Sequence, residues 1–478
     1  MSFAGLAFHN LTKPMKHLSL SLLFLLLLVT SCHDSKDPGV VPITPPSSSP
    51  PSNSELPAQG SDTNHNFTVL TPRVISSKYD GPVLLEFRSI DGRSNFILNA
   101  VWGENIPLRD DGQGGDKIAN DEIFSVTLDS KKILSNLASI STCRPFLGSI
   151  SISVIAGYSN VFAEVSTDSI PQLTVEKVND QVQKTPHLVN IITKGSTVFD
   201  DDQLINNYTN IFYQHFGDDY DFIVIIFPGF NDNRHHNIVK QAVTGLGMDA
   251  VDMSGQFGSS GKLTGISVFP NTTFLDGASV GYQHELGHQW INYLSGPFAV
   301  GQPHWPVSDL ASGIMGYSGP GGEGLSFPYD LVQQDANNWK IVQNTSPTVF
   351  NDLELYLMGL QPASQVKDHI IFNDQTQAIE PGAILQGPVT KVSATDIVTL
   401  AGIRNPDYTA SPKKFNIATI IVSSAFLSDM EMSFYDYFSA RAELKKAIVA
   451  REGFSIYVSR PFSLSTGGAG ELVTTLVN

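Results

Sequence analysis

Cysteine is nearly absent. Cys32 and Cys143 are the only two in 478 residues, so a disulfide-stapled scaffold is excluded. Charge is sparse too, at 16% of residues, and basic residues are the scarcer sign. With 29 Lys and Arg against 46 Asp and Glu the net charge is −17, a field that repels a phosphate backbone and argues against nucleic acid as a partner. There is no fixed-period repeat and no charge block long enough to act as a tail. No apolar run reaches the roughly 20 residues needed to cross a bilayer. What is present is globular material, 41% hydrophobic and 10% aromatic with 39 glycines and 28 prolines. That composition excludes a coiled coil and global disorder, and at about 150 residues per domain the length predicts two or three domains.

The apolar run Leu18 to Val29 follows Lys13 and Lys16 and suits the apolar region of a secretory signal. It closes in Val29-Thr30-Ser31-Cys32, which resembles the lipobox of bacterial lipoproteins. The resemblance implies a signal peptide over 1–31, cleavage before Cys32, lipid on that cysteine as the link to a membrane, and a place in the bacterial cell envelope. If Cys32 is acylated, no intramolecular disulfide can form, and stability must come from the core or from metal. Residues 32–61 follow as a tether rich in proline and serine, from Pro38 to Pro57. Such chain extends about 3.1 Å per residue.

Residues 62–168 read as short strands broken by turns: Val83 to Arg88, Phe96 to Leu98, Ile123 to Leu128, Ile150 to Ala156 and Val161 to Val165. Alternation such as Ile150-Ser151-Ile152-Ser153-Val154 is the period of a half-buried strand, and an all-β, Ig-like sandwich is the expected fold. Between two of these strands lie Asp110, Asp111, Asp116 and Asp121 among glycines, in a turn that resembles those of bacterial surface β-domains. Clustered carboxylates beside turn-forming glycines offer oxygen ligands to Ca²⁺. The spacing does not match an EF-hand, and a solvated acidic turn is the alternative.

From residue 169 the pattern changes. Leu204, Ile205, Tyr208, Ile211 and Phe212 recur at helical spacing behind Asp200, Asp201 and Asp202. Phe222 to Phe227 is a continuous apolar run, predicting a strand buried on both faces, and Gly265 to Phe269 is a further strand candidate. His235-His236 reads as a surface loop. The glycine-rich Ser465 to Gly470 lacks the strand and lysine of a phosphate loop and reads as a turn before a last strand, Leu472 to Val477.

Chemistry concentrates in Gly281-Tyr282-Gln283-His284-Glu285-Leu286-Gly287-His288, which contains H-E-x-x-H. Residues four apart on a helix share a face, so His284 and His288 can present imidazoles to one metal while Glu285 stands close enough to take a proton from water. Leu286, Trp290, Tyr293 and Leu294 predict an apolar face turned away from them along one long helix. A catalytic zinc takes three protein ligands and keeps one position open. His304 and Glu354 compete for the third place, the latter as in the thermolysin-like pattern; Glu323 and Asp309 are weaker alternatives.

Ser312-Gly313-Ile314-Met315-Gly316-Tyr317 resembles the Met-turn of metzincin metallopeptidases. The resemblance spans Gly281 to Tyr317 and favours His304. It implies that Met315 underlies the ligands and that Tyr317 stabilises an oxyanion. The chain departs from the metzincin pattern in carrying Ile291 and Leu294 where a glycine and the third histidine stand. A longer helix and an inserted loop, Ser295 to Pro303, would have to bring His304 round. The expectation is an α+β, metzincin-like metallopeptidase over 169–478, with a mixed sheet and an active-site helix. Its ligands would be His284, His288 and His304, its cofactor Zn²⁺, its base Glu285 and its substrates proteins or peptides. A surface adhesin with a structural or vestigial zinc site, and a zinc hydrolase of a non-peptide substrate, are the alternatives.

Overall fold

The structure is a computed structural model describing most of residues 67–477; residues 1–66, 137–145, 155–158, 193–201, 228–233, 271–275, 319–328, 344–348, 448–459 and several shorter stretches are not among those described. The expected signal peptide, Cys32, the tether, Cys143 and Glu323 all lie outside the described residues.

Residues 67–166 form two sheets. Pro82–Ser89 runs antiparallel to Ile123–Asp129 and to Phe67–Val69, and it buries Val83, Leu85, Phe87 and Ser89 at every second position, the period of a strand with one face on a core. The second sheet has the order Arg73–Ser76, Ser159–Ser166, Phe146–Val154, Ile97–Asn99, Asn105–Pro107. Leu85, Phe87, Phe124 and Val126 from the first sheet meet Ile75 and Leu98 from the second in one apolar cluster.

The larger region is mixed α/β and centres on an eight-stranded sheet. Its order is His235–Ile238, Gly265–Pro270, Phe222–Phe227, Lys414–Ser423, Leu188–Ile192, Val182–Thr185 and Glu176–Lys177, with Glu471–Val473 beside the start of Lys414–Ser423. The four strands from Gly265–Pro270 to Leu188–Ile192 are parallel; His235–Ile238 closes one edge antiparallel. All six residues of Phe222–Phe227 are buried, because both faces are covered. Ile223, Ile225 and Phe227 meet Ile205, Tyr208 and Phe212 of the helix Asp202–Tyr213. Phe222, Val224 and Ile226 face the layer that holds Leu286 and Trp290.

Two local expectations are corrected. His235 and His236 lie on the edge strand rather than a loop, and His236 turns its ring inward, Nδ1 2.9 Å from Ser267 Oγ and Nε2 3.0 Å from Gln289 Oε1. The last strand spans only Glu471–Val473. Beyond it Glu443 Oε1 draws off the backbone N–H groups of Thr474 and Thr475, which ends the ladder.

Candidate metal centre

The histidine helix begins at Ser279, whose side chain caps it by accepting from the Tyr282 N–H at 3.1 Å. Just before it, Asp276 forms a buried two-pronged ion pair with Arg441, both contacts 2.8 Å, fixing where the helix starts. The helix covers only Val280–Gly287, shorter than the apolar pattern predicts. Trp290, Ile291 and Leu294 reach the same core from a turn instead. Past Gly287 the N–H groups of His288, Gln289 and Trp290 donate to carbonyls three residues back, and that of Asn292 leaves the helix to donate to Pro303 O at 2.9 Å.

Asn292 is fully buried and also clamps the loop that follows. Its side-chain amide donates to Phe298 O at 3.2 Å and His304 O at 3.0 Å, and its oxygen accepts from the Leu294 N–H at 3.1 Å. Trp305 then bridges in parallel to Tyr317, with the Ser318 N–H donating to Trp305 O at 2.9 Å. Glu354 fastens this assembly from below. Its Oε1 accepts from Trp305 Nε1 at 2.8 Å and its Oε2 from the Asn351 N–H at 2.7 Å, and the Met315 N–H donates to it as well. A Cβ on Gly313 would stand 2.6 Å from Glu354 Oε2, so a larger residue there would displace the carboxylate. Burial raises Glu354 to about 7.

These contacts bring His304 to the other two imidazoles. His284 Nε2 lies 3.1 Å from His304 Nε2 and 3.2 Å from His288 Nε2, and all three side chains are buried. Their other ring nitrogens face oxygen: His284 Nδ1 is 3.0 Å from Ile314 O, His288 Nδ1 3.3 Å from Ile291 O, and His304 Nδ1 3.3 Å from Ser318 Oγ. A carbonyl can only accept, and the Ser318 hydroxyl already donates to Gly301 O, so each Nδ1 carries the proton and each Nε2 presents its lone pair. Burial, reinforced by the neighbouring imidazoles, pulls His288 well below the ordinary histidine range. Burial and the Arg234 charge lower His304 to about 4. Three neutral nitrogens turned to one point repel one another unless a cation lies between them, and an all-imidazole set of three with outer hydrogen bonds on Nδ1 suits zinc.

Glu285 is buried beside this cluster, its Oε1 accepting from Arg234 Nε at 2.8 Å. Met315 is fully buried and its sulfur packs against the Gly287 backbone, where a Cβ would collide with it. Tyr317 is 3% exposed, its ring edge-on to Tyr329 at 5.2 Å in a satellite core with Val307, Trp339 and Phe372. Of the competing third ligands, Glu354 is engaged beneath the loop and Asp309 pairs with His369 Nδ1 at 3.3 Å. Neither belongs to the imidazole cluster. Although burial pulls His369 down, Asp309 and Asp352 together raise it to about 9.

In the acidic turn, Asp110, Asp116 and Asp121 bring one oxygen each within 4.8 Å of the others. Asp111 is drawn off by Arg109 at 3.0 Å. Asp110 accepts from the Asp121 and Glu122 N–H groups, Asp116 from that of Gly112, and Asp121 from that of Ile123.

Comparison with family models, with curated proteins and with solved structures finds no match. The residues that sequence reasoning missed are Asn292 and Arg234. A side-chain amide set among Trp290, Ile291, Tyr293 and Leu294 was the available sign of the first. The second had none, since strand pairing rather than spacing carries it to Glu285.

Proposed function

We propose that the protein is a zinc-dependent endopeptidase acting on protein or peptide substrates outside the cytoplasm, held to a membrane of the cell envelope through lipid on Cys32. The observation that supports this reading is the meeting of three buried, neutral imidazoles at one point with the glutamate of H-E-x-x-H beside them. His284, His288 and His304 would hold the metal by Nε2, with Ile314 O, Ile291 O and Ser318 Oγ keeping the rings in that tautomer. Zinc bound there supplies a Lewis acid that polarises a carbonyl and makes water more acidic. Glu285 takes a proton from the attacking water and returns it to the amine nitrogen as the carbon–nitrogen bond breaks. Three histidine donors with no fourth protein ligand among the described residues favour a reactive site over a structural one, which closes all four positions. Tyr317 keeps the oxyanion role only by its resemblance, and no step depends on it.

Glu285→Gln tests the reading. It should retain zinc and lose casein or peptide-library hydrolysis by about 10²-fold or more, the scale of general-base catalysis. Zinc retained with hydrolysis undiminished would remove Glu285 from the mechanism.

A further inference from the structure

We propose that Arg234 is a positioning residue for this reaction, holding the Glu285 carboxylate as a proton acceptor and keeping it from becoming a ligand of the metal. The inference rests on the peptidase reading. Arg234 stands immediately before the edge strand His235–Ile238, and its Nε donates to Glu285 Oε1 at 2.8 Å. The two side chains are only 17% and 6% exposed, so the ion pair is largely withdrawn from water. A Cβ on Gly281 would lie 3.0 Å from Arg234 Cζ, which places the guanidinium on the histidine helix one turn before Glu285.

A carboxylate next to an open coordination position competes with water for it, since zinc takes carboxylate oxygen as well as imidazole nitrogen. Gripping one oxygen through a planar guanidinium fixes the orientation of the carboxylate and balances its charge. Among the described residues the three imidazoles are then the donors left to hold the metal, and Glu285 is held to Arg234 as a base. Arg234 itself makes and breaks no covalent bond, and the hydrolysis proceeds by the steps given above.

The test compares the full chain with Arg234→Met and Arg234→Lys, loaded with zinc or with cobalt. In Arg234→Met the released carboxylate should bind zinc several-fold more tightly in competition with a chelating dye, and the cobalt absorption spectrum should change as an oxygen joins the metal. The kcat should fall about tenfold or more while KM stays within about threefold, the signature of a lost proton-transfer geometry. Arg234→Lys keeps the charge without the fork and should fall between the two. Millimolar guanidinium should restore part of the kcat of Arg234→Ala, a rescue that a merely structural role would not give. Zinc affinity, cobalt spectrum and kcat all unchanged in Arg234→Met would overturn the proposal, as would weaker zinc binding in that variant. A wild-type chain that binds zinc without hydrolysing peptides counts against the peptidase reading, and the affinity and spectral arms still decide the role of Arg234.

Discussion

Among the described residues, side chains of metal-ligand type gather in two places, and the two clusters are built on opposite principles. In the acidic turn each carboxylate accepts N–H groups of its own loop, so the cluster organises the turn and is stable as it stands. In the histidine cluster Nδ1 faces carbonyl or hydroxyl oxygen on each ring, and the Nε2 atoms are turned inward against one another. Proximity of ligands is common to both. Only the second points its Nε2 atoms at one another, the arrangement on which the proposed metal site rests.

The sharpest way to break this contrast is to remove His304. Zinc affinity of His304→Ala, measured by calorimetry, should fall by more than about 100-fold, beyond the 10- to 100-fold of a lost outer-shell partner. The fold should survive, since smaller residues fit the space. Unchanged zinc affinity would mean that the cluster is a packing arrangement, no different in kind from the acidic turn.

Much of this architecture is legible in the residues themselves, and the failures have physical causes. The six buried positions of Phe222–Phe227 and the alternation of Pro82–Ser89 announce their strands because burial imposes a period on the sequence. The pairing of Phe222–Phe227 with Lys414–Ser423 does not, because contact between distant segments leaves no local period. H-E-x-x-H marks His284 and His288 as neighbours with Glu285 between them because a helix makes spacing into geometry. His304 stood beside Glu354 as a candidate by residue type, and the resemblance around Met315 is what favoured it. Its actual positioning depends on Asn292, on the Trp305–Tyr317 bridge and on Glu354, none of which has a spacing rule. The predicted helix ran too long for the same reason: apolar periodicity continues through Leu294, while the backbone leaves the helix after Gly287 and pairs at Asn292 with the loop at Pro303.

Glu354 sharpens the comparison, because it is a carboxylate that serves the histidine site in the way the acidic carboxylates serve their turn. Glu354→Ala strands the Trp305 indole N–H and the Asn351 and Met315 backbone N–H groups in a fully buried place. The expected loss is on the order of 2–3 kcal/mol of stability in denaturant unfolding, with zinc affinity down about tenfold, the scale of an outer-shell defect. Glu354→Gln should recover only part of the stability, since one of its two accepting oxygens becomes an NH2 that faces an N–H donor. Zinc affinity equal to wild type in Glu354→Ala would separate the loop from the metal centre.

The smallest effect is expected in the acidic turn. Asp116 is its most buried carboxylate, 8% exposed, and it accepts from the Gly112 N–H at 2.5 Å. Asp116→Asn keeps an oxygen acceptor but loses the charge on it, which should cost about 1 kcal/mol in the stability of this region. Because the turn already binds its own amides, millimolar calcium should leave the wild-type Tm where it is, and Asp116→Asn should shift equally with and without the ion. A calcium-dependent rise in Tm that disappears in Asp116→Asn would erase the distinction between the two clusters: the carboxylates would then be a second cation site, with the turn's hydrogen bonds serving to preorganise it as the Nδ1 contacts preorganise the imidazoles.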